Sequence, residues 1–223
     1  MKTRQEIKLL AKTNMGKQRV VAILLILLTF AVALVLGLLR LIPILGVVIY
    51  IAGMCGIMIW AVNMSGSFIS IFKEQKTTVE EAVNAFKVNP WRKLGGMWWE
   101  ALWVFLWSLL LIVPGIVKSY AYFMNPYILA DCPNVTAQES LKLSMRMTQG
   151  HKGKLFVMHL SFIPWALLSI VTLGILAIVF VGPYAQTTMA GYYVELRDLA
   201  LANGVIKPEE LNPAPAVAPA NAN

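Results

Sequence analysis

The sequence predicts an all-α, polytopic membrane protein whose six transmembrane helices are arranged as three hairpins, each preceded by a short cytoplasmic amphipathic helix. Hydrophobic residues make up 58% of the 223 residues and charged residues only 13%, whereas a soluble domain carries roughly 25% charged residues. The mean hydropathy is +0.68, and the apolar runs approach the roughly 20 residues with which a helix crosses a bilayer. Basic residues are also concentrated in alternate connections, which is typical of multi-pass membrane proteins.

Six apolar runs define the predicted spans, at residues 20–39, 44–68, 96–113, 116–130, 155–172 and 175–195. Short reversals follow the first, third and fifth spans. They lie at residues 40–43, at Pro114 with Gly115, and at residues 172–174. Proline and glycine are poor at continuing a helix, which favours reversals there. The spans therefore pair as three tight hairpins.

The rest of the chain divides around this membrane domain, which covers residues 20–198. Residues 1–19 are predicted to form a basic, amphipathic segment in the cytoplasm. Residues 203–223 are rich in proline, alanine and asparagine, with little to bury, and are predicted to be a disordered cytoplasmic tail.

The basic residues predict the orientation of the chain. Of the 19 lysines and arginines, 17 lie in the N-terminal segment, the two long connections and the tail; only Arg40 and Lys118 fall on the other side. Cytoplasmic loops carry an excess of lysine and arginine. We therefore expect a multi-pass protein of the cell membrane with both termini in the cytoplasm.

A T-x-x-E motif precedes each predicted hairpin, beginning at Thr3, Thr78 and Thr136. In such a capping box the threonine oxygen binds the third backbone amide of a helix, and the glutamate binds the threonine amide. In the second segment, Thr77 and Glu80 offer a competing frame. Three boxes at equivalent places indicate a repeated unit of amphipathic helix, basic hinge and two spans.

The predicted amphipathic helices near residues 78–89 and 136–149 have two open interpretations. They could lie in the cytoplasmic interface, with lysines toward anionic headgroups, or pack on the inner end of the helix bundle. The candidate headgroup contacts are Arg92, Lys93, Arg146, Lys152 and Lys154.

Polar residues inside apolar spans are candidates for function because a bilayer makes them costly. The fourth span carries such residues at helical spacing, so they share one stripe, which is predicted to face the sixth span. The members of this candidate binding stripe are Lys118, Tyr122, Asn125, Glu100 of the third span and Gln186 of the sixth. The alternative is that Lys118 extends its ammonium to the interface while Asn125 satisfies backbone groups freed by Pro126. Pro126 also predicts a kink near Tyr122.

Catalytic and metal-binding patterns are absent from the sequence. There is no HExxH motif, phosphate-binding glycine loop or nucleophile–base pair, and the two cysteines lack metal-ligand spacing. We expect no enzymatic activity, no cofactor and no nucleic-acid partner.

Four segments carry a resemblance to a known family: PGIVKSYAY (residues 114–122), SMRMTQGHK (144–152), LSFIPW (160–165) and PYAQT (183–187). With them the chain resembles, from about residue 1 to 198, the DUF975 family of bacterial integral membrane proteins. The resemblance implies a bacterial cell membrane and a similar architecture, and it supplies no activity. Pro164 stands where the family pattern leads us to expect a small residue, so we expect a kink in the fifth span.

These observations lead to two functional expectations. The first is a membrane protein without enzymatic activity that organises, senses or protects the envelope by binding lipid or another membrane protein. Its partners would be membrane lipids with anionic headgroups, a membrane protein, or a second copy of the chain. The alternative is a small permease or an accessory subunit of a membrane transporter, because broken helices and polar groups within the membrane are features of transport sites.

Overall fold

The computed structural model describes residues 2–39 and 45–212, and these residues form helices and turns without a strand. The helices are α1 (Arg4–Lys17), α2 (Arg19–Leu39), α3 (Leu45–Phe72), α4 (Val79–Asn84), α5 (Pro90–Leu110), α6 (Ile112–Tyr122), α7 (Asn125–Asp131), α8 (Ala137–Thr148), α9 (Lys152–Leu160), α10 (Ile163–Val171), α11 (Gly182–Ala202) and α12 (Pro208–Leu211). A 3-10 turn at Ala85–Lys87 follows α4, and a π-helical turn at Ala177–Val181 leads into α11. The all-α class is confirmed.

Three segments are long and apolar enough to cross a membrane: Arg19–Leu39, Val48–Phe72 and Lys152–Val171. They support membrane association. Helices α5 and α11 are also 21 residues long, but tryptophans, glycines and charged residues lower the hydropathy of α5, and α11 carries several polar residues. Six spans paired as hairpins stay a prediction.

All three predicted capping boxes form. In each one the threonine hydroxyl accepts a hydrogen bond from the glutamate amide, and the glutamate carboxylate accepts one from the threonine amide. The pairs are Thr3 with Glu6, Thr78 with Glu81, and Thr136 with Glu139. The second box therefore uses the frame of Thr78 rather than that of Thr77. The helix that each box starts is α1, α4 or α8.

The amphipathic helices pack on the bundle. In α8 the buried residues are Ser140, Leu141, Leu143, Ser144, Met147 and Thr148; in α1 they are Ile7, Ala11, Asn14 and Met15. Their outward faces still carry some apolar side chains, such as Leu9 at 66% exposure and Val83 of α4 at 46%. Of the two open interpretations, packing on the protein accounts for the inner faces of α1 and α8.

The fourth and fifth predicted spans are both broken. The fourth divides at Phe123 and Met124 into α6 and α7, and the fifth divides at Ser161 and Phe162 into α9 and α10. In each case a proline is the second residue of the following helix, Pro126 in α7 and Pro164 in α10. At such a position the missing N–H group breaks no intrahelical hydrogen bond. Both predicted kinks are therefore confirmed.

The predicted reversal at Pro114 and Gly115 is wrong. Helix α5 ends about one turn earlier, at Leu110, and the chain reverses at Leu111, whose backbone is extended (φ −162°, ψ 145°). Pro114 lies in the first turn of α6, where a proline is tolerated. Gly115 permits a close approach instead: a Cβ there would lie 2.2 Å from Ser108 Oγ and 2.8 Å from Ser108 Cα on α5.

The other two predicted reversals have different outcomes. Residues 172–174 do form a turn, in which Leu173 (φ 51°) and Gly174 (φ 84°) adopt left-handed backbone conformations. Residues 40–43 lie outside the described residues.

Helix α11 lies at the centre of the bundle and packs on α1, α2 and α3. Near its C-terminal end, Arg197 (2.5 Å) and the Tyr193 hydroxyl (3.0 Å) both donate to Oδ2 of Asp131, and Lys73 lies 3.3 Å from Oδ1. Burial raises the pKa of Asp131, but the positive charges of Lys73 and Arg197 outweigh it and lower the pKa. This cluster joins the ends of α3 and α7 to α11.

The predicted disorder of the tail is wrong for residues 203–212. This segment forms a turn and α12, and the side chain of Ile206 is buried in the core. Arg146 on α8 holds it through Glu210 (2.5 Å), and Asn134 donates to Asn212 (2.8 Å). The segment carries an apolar anchor and charged partners, which its proline-rich composition conceals. Residues 213–223 lie outside the described residues.

Candidate binding site between α5, α6 and α8

A buried polar cluster joins α5, α7 and α8. Asn125, the first residue of α7, is fully buried, and its amide donates to the Gly96 carbonyl (3.2 Å) and to Glu100 Oε2 (2.8 Å). Its amide oxygen accepts from Ser140 Oγ (2.7 Å). Gly96 allows α7 to approach, since a Cβ there would lie 2.6 Å from Leu129. Asn125 thus binds side chains and a carbonyl of other helices, and the alternative that it serves the backbone freed by Pro126 finds no contact to support it.

Beside this cluster lies an open cavity of about 340 Å³ between α5, α6 and α8, which we call the tryptophan–lysine cavity. Its wall on α5 consists of Trp99, Trp103 and Trp107, which share one face of the helix because they are spaced four residues apart. Tyr122, Leu141 and Met145 complete the apolar part of the wall, and Lys118, Lys142 and Gln138 supply its polar groups.

Lys118 is held against aromatic rings in this cavity. Its ammonium lies 4.9 Å from the ring centroid of Trp107, 5.7 Å from that of Tyr122, and 4.0 Å from the sulfur of Met145 on α8. Cation–π contacts of this kind stabilise a cation by about 0.5–2 kcal/mol. Lys118 therefore lies beside α8, and its predicted place at an outer turn, opposite the basic connections, is wrong.

The structure assembles most of the predicted polar stripe but not all of it. Lys118, Tyr122 and Asn125 face α5 and α8, and Glu100 meets Asn125 directly. Gln186 lies apart: α11 packs mainly on α1 and α3, whereas α6 packs on α5, α8 and α9. The stripe does not face the sixth span, because the break at Phe123 and Met124 and the close contact at Gly115 direct α6 onto α5.

Two of the predicted headgroup contacts are used inside the protein. Arg92 donates to the carbonyl oxygens of Leu129 (2.5 Å), Cys132 (3.2 Å) and Val135 (2.7 Å), at and beyond the end of α7. Lys93 is only 5% exposed and donates to Asn63 Oδ1 and to the Ala85 carbonyl, both at 2.7 Å. The assignment of Lys93 to lipid headgroups is wrong because its side chain is buried. Arg92 serves the carbonyl groups at the end of α7, which lack helical donors.

The remaining three predicted headgroup contacts lie in different environments. Arg146 is engaged by Glu210 and by the carbonyl of Val205, so it binds the C-terminal segment rather than lipid. Lys152 is half-buried at the start of α9, while Lys154 is exposed and borders a second cavity.

The tryptophan–lysine cavity suits a ligand with an anionic group and an apolar portion. Two ammonium groups would attract the anion, and no acidic side chain lines the described wall. Nothing here provides metal chemistry: among residues 2–39 and 45–212, no group of three or more His, Cys, Asp or Glu side chains could hold a metal ion. Sequence reasoning missed Trp103, Trp107, Lys142 and Ser140, although the four-residue spacing of the tryptophans was a signal.

Comparisons with known proteins give one match. No curated protein and no solved structure is similar to the chain at a significant level. The model of a family described as "Protein of unknown function (DUF975)" matches residues 96–200. This stretch contains every residue of the tryptophan–lysine cavity and of the Glu100–Asn125–Ser140 cluster. The match supports the resemblance to the DUF975 family over these residues.

Proposed function

We propose that this protein is a bacterial integral cell-membrane protein without enzymatic activity, which binds anionic lipid headgroups in the tryptophan–lysine cavity. Through that contact it would organise, sense or protect the envelope. The observation that carries the proposal is the pairing of Lys118 and Lys142 with a stripe of tryptophans in one open cavity. Tryptophan is enriched at membrane interfaces, and lysine near the cytoplasmic surface attracts anionic lipid.

The surface next to the cavity supports a lipid ligand. The outer sides of α5 and α6 expose large apolar side chains, among them Phe105 at 63%, Leu109 at 74% and Val113 at 70%. Apolar surface of this extent marks contact with a membrane or another protein. A lipid could place its headgroup between the lysines and its acyl chains along these helices.

The charged ends of the helices support a multi-pass topology with both termini in the cytoplasm. Lys17, before α2, pairs with Glu74, after α3, at 2.7 Å. Lys73 and Arg197 both pair with Asp131. The start of α2 and the ends of α3, α7 and α11 therefore meet at one basic end of the bundle, which the positive-inside rule assigns to the cytoplasm.

A permease or transporter subunit is the competing proposal, and the buried polar cluster gives it less support. Asn125 is fully buried, and its amide is satisfied by Gly96, Glu100 and Ser140. A transport site needs polar groups that are free to replace the hydration of a solute.

Lipid retention tests the proposal. The protein is reconstituted in nanodiscs that contain zwitterionic lipid with or without phosphatidylglycerol, and native mass spectrometry counts the lipids that stay bound. We expect selective retention of phosphatidylglycerol, reduced about tenfold in Lys118→Gln/Lys142→Gln, the loss expected for removal of charge-assisted hydrogen bonds. The control Lys12→Gln/Lys87→Gln removes the same charge from exposed positions and should retain lipid like the wild type.

Two results would overturn the proposal. One is equal retention of phosphatidylglycerol by the cavity variant and the control. The other is solute flux into proteoliposomes that Lys118→Ala abolishes, which would favour the permease.

A further inference from the structure

A second cavity, of about 640 Å³, opens between the N-terminal ends of α1 and α9 and the side of α11. We call it the α1–α9 cleft. It shares no lining residue with the tryptophan–lysine cavity. Two exposed cations border it, Arg4 on α1 and Lys154 on α9, and neither forms an ion pair with a described residue. Lys2 also borders the cleft, but Glu195 already neutralises it through an ion pair.

The start of α9 adds positive potential to this cleft. Its N-cap residue, His151, makes no side-chain capping hydrogen bond. The first backbone N–H groups of α9 therefore remain free to donate. Gly153, in the first turn, leaves open space beside the backbone. Burial, and to a smaller extent the positive charge of Lys154, lower the pKa of His151 at this helix end.

The side chain of Tyr192 is the independent observation that points to a ligand. Tyr192 borders the cleft from α11 and is only 2% exposed, and its hydroxyl is buried without a hydrogen-bond partner among the described residues. Buried hydroxyl groups are normally paired, because an unpaired one loses its bonds to water and gains none in return. A ligand oxygen at the inner end of the cleft would supply the missing partner.

We propose that the α1–α9 cleft binds the phosphate group of an anionic phospholipid. Arg4 and Lys154 hold the phosphate, the free amides at the start of α9 face it, and Tyr192 donates its hydroxyl to an oxygen of the ligand. Val157, one turn along α9, borders the cleft and is 43% exposed, and Leu160 of the same helix is 49% exposed. These side chains provide a surface for acyl chains, which favours a lipid over free phosphate. The inference adds a second site to the proposed function and rests on it for the presence of lipid.

Lipid counting separates the two sites. In nanodiscs with phosphatidylglycerol, native mass spectrometry should show that the wild type retains lipid at both. Arg4→Gln/Lys154→Gln should lose the cleft lipid, because its affinity there should fall at least about tenfold. The same variant should keep the lipid that Lys118→Gln/Lys142→Gln loses. Lys12→Gln/Lys87→Gln serves again as the charge-matched control. If the tryptophan–lysine cavity fails to bind, the cleft lipid still tests this inference by itself.

Tyr192→Phe gives a second readout that does not depend on charge. Without anionic lipid, this variant should be as stable as the wild type or more stable, since it removes an unpaired buried hydroxyl. With phosphatidylglycerol present it should bind several-fold more weakly than the wild type. A variant that is less stable without lipid, or that binds lipid normally, would contradict the role of the hydroxyl.

Inorganic phosphate distinguishes the source of the anion. Millimolar phosphate added to protein in zwitterionic nanodiscs should neither raise the melting temperature nor displace bound phosphatidylglycerol. Displacement of the lipid by phosphate would assign the cleft to the free anion and overturn the lipid assignment. Retention of the cleft lipid by Arg4→Gln/Lys154→Gln would overturn the site itself.

Discussion

Replacement of Asn125 by alanine should destabilise the protein strongly, because the side chain of Asn125 connects the start of α7 to both α5 and α8 through hydrogen bonds. It is fully buried and bonded to Gly96, Glu100 and Ser140. Each of these hydrogen bonds contributes about 0.5–1.5 kcal/mol. The loss of the amide also leaves a small cavity. We expect Asn125→Ala to lower the free energy of unfolding by about 3 kcal/mol in total.

Reversible unfolding in mixed detergent micelles, followed by tryptophan fluorescence, measures this free energy. Two control variants test whether the lost hydrogen bonds of Asn125 cause the loss of stability. Asn84→Ala removes an exposed asparagine whose side chain makes no capping hydrogen bond and should cost about 0.5 kcal/mol or less. Glu100→Gln keeps an oxygen that can accept from Asn125 and should cost about 1 kcal/mol or less.

A double-mutant cycle gives the sharpest test. Removal of both partners leaves neither side of the Asn125–Glu100 bond unpaired, so Asn125→Ala with Glu100→Ala should cost about 1–2 kcal/mol less than the sum of the single changes. Strict additivity would refute the claim that these two residues interact. An unchanged unfolding free energy in Asn125→Ala would refute the importance of the whole cluster.

Two further predictions concern the contacts of α11. Gly191→Ala should lower stability by about 1–3 kcal/mol, because the new Cβ would lie 2.2 Å from the Phe72 ring; Gly16→Ala, which meets nothing within 4 Å in α1, should not, and equal thermal melting of the two variants would contradict the packing. Asp131→Asn should lower the melting temperature at pH 7 and lose that effect in acid. The pKa of Asp131 is lowered in the folded protein, so its charge stabilises the fold above the unfolded pKa of about 3.9, and this contribution disappears as pH falls through the folded value. A melting-temperature difference that stays constant from pH 7 to pH 3 would show that the ion pair with Arg197 is not its cause.

Local features of the fold were predictable from the sequence. The capping boxes at Thr3, Thr78 and Thr136 depend on groups three residues apart, and all three form. The breaks before Pro126 and Pro164 follow from the missing N–H group of proline. These features need no knowledge of which helices become neighbours.

Contacts between distant segments were not predictable in the same way. Arg92 and Lys93 resemble interfacial cations in the sequence, yet both bind carbonyl or amide oxygens of other segments. These oxygen atoms need a hydrogen-bond donor only once α7 and the 3-10 turn at Ala85–Lys87 have formed. Gln186 and Lys118 both lie in apolar runs beside prolines, which favours placing them together, but the helices that pack together are set by close approaches such as that at Gly115.

The break between α6 and α7 has a consequence for the order in which the chain can fold. The buried backbone groups that the break leaves without a helical partner are satisfied by hydroxyls of α8: Ser144 accepts from the Met124 amide, and Ser144 and Thr148 both donate to the Ala121 carbonyl. In a bilayer, unsatisfied groups of this kind are costly. Only residues 132–136 separate α7 from α8, and the hydroxyl partners lie 20 to 27 residues along the chain from the groups that they bind, a separation whose closure costs little extra chain entropy. The break can therefore gain its hydroxyl partners as soon as α8 has been synthesised, before the central helix α11 has been made.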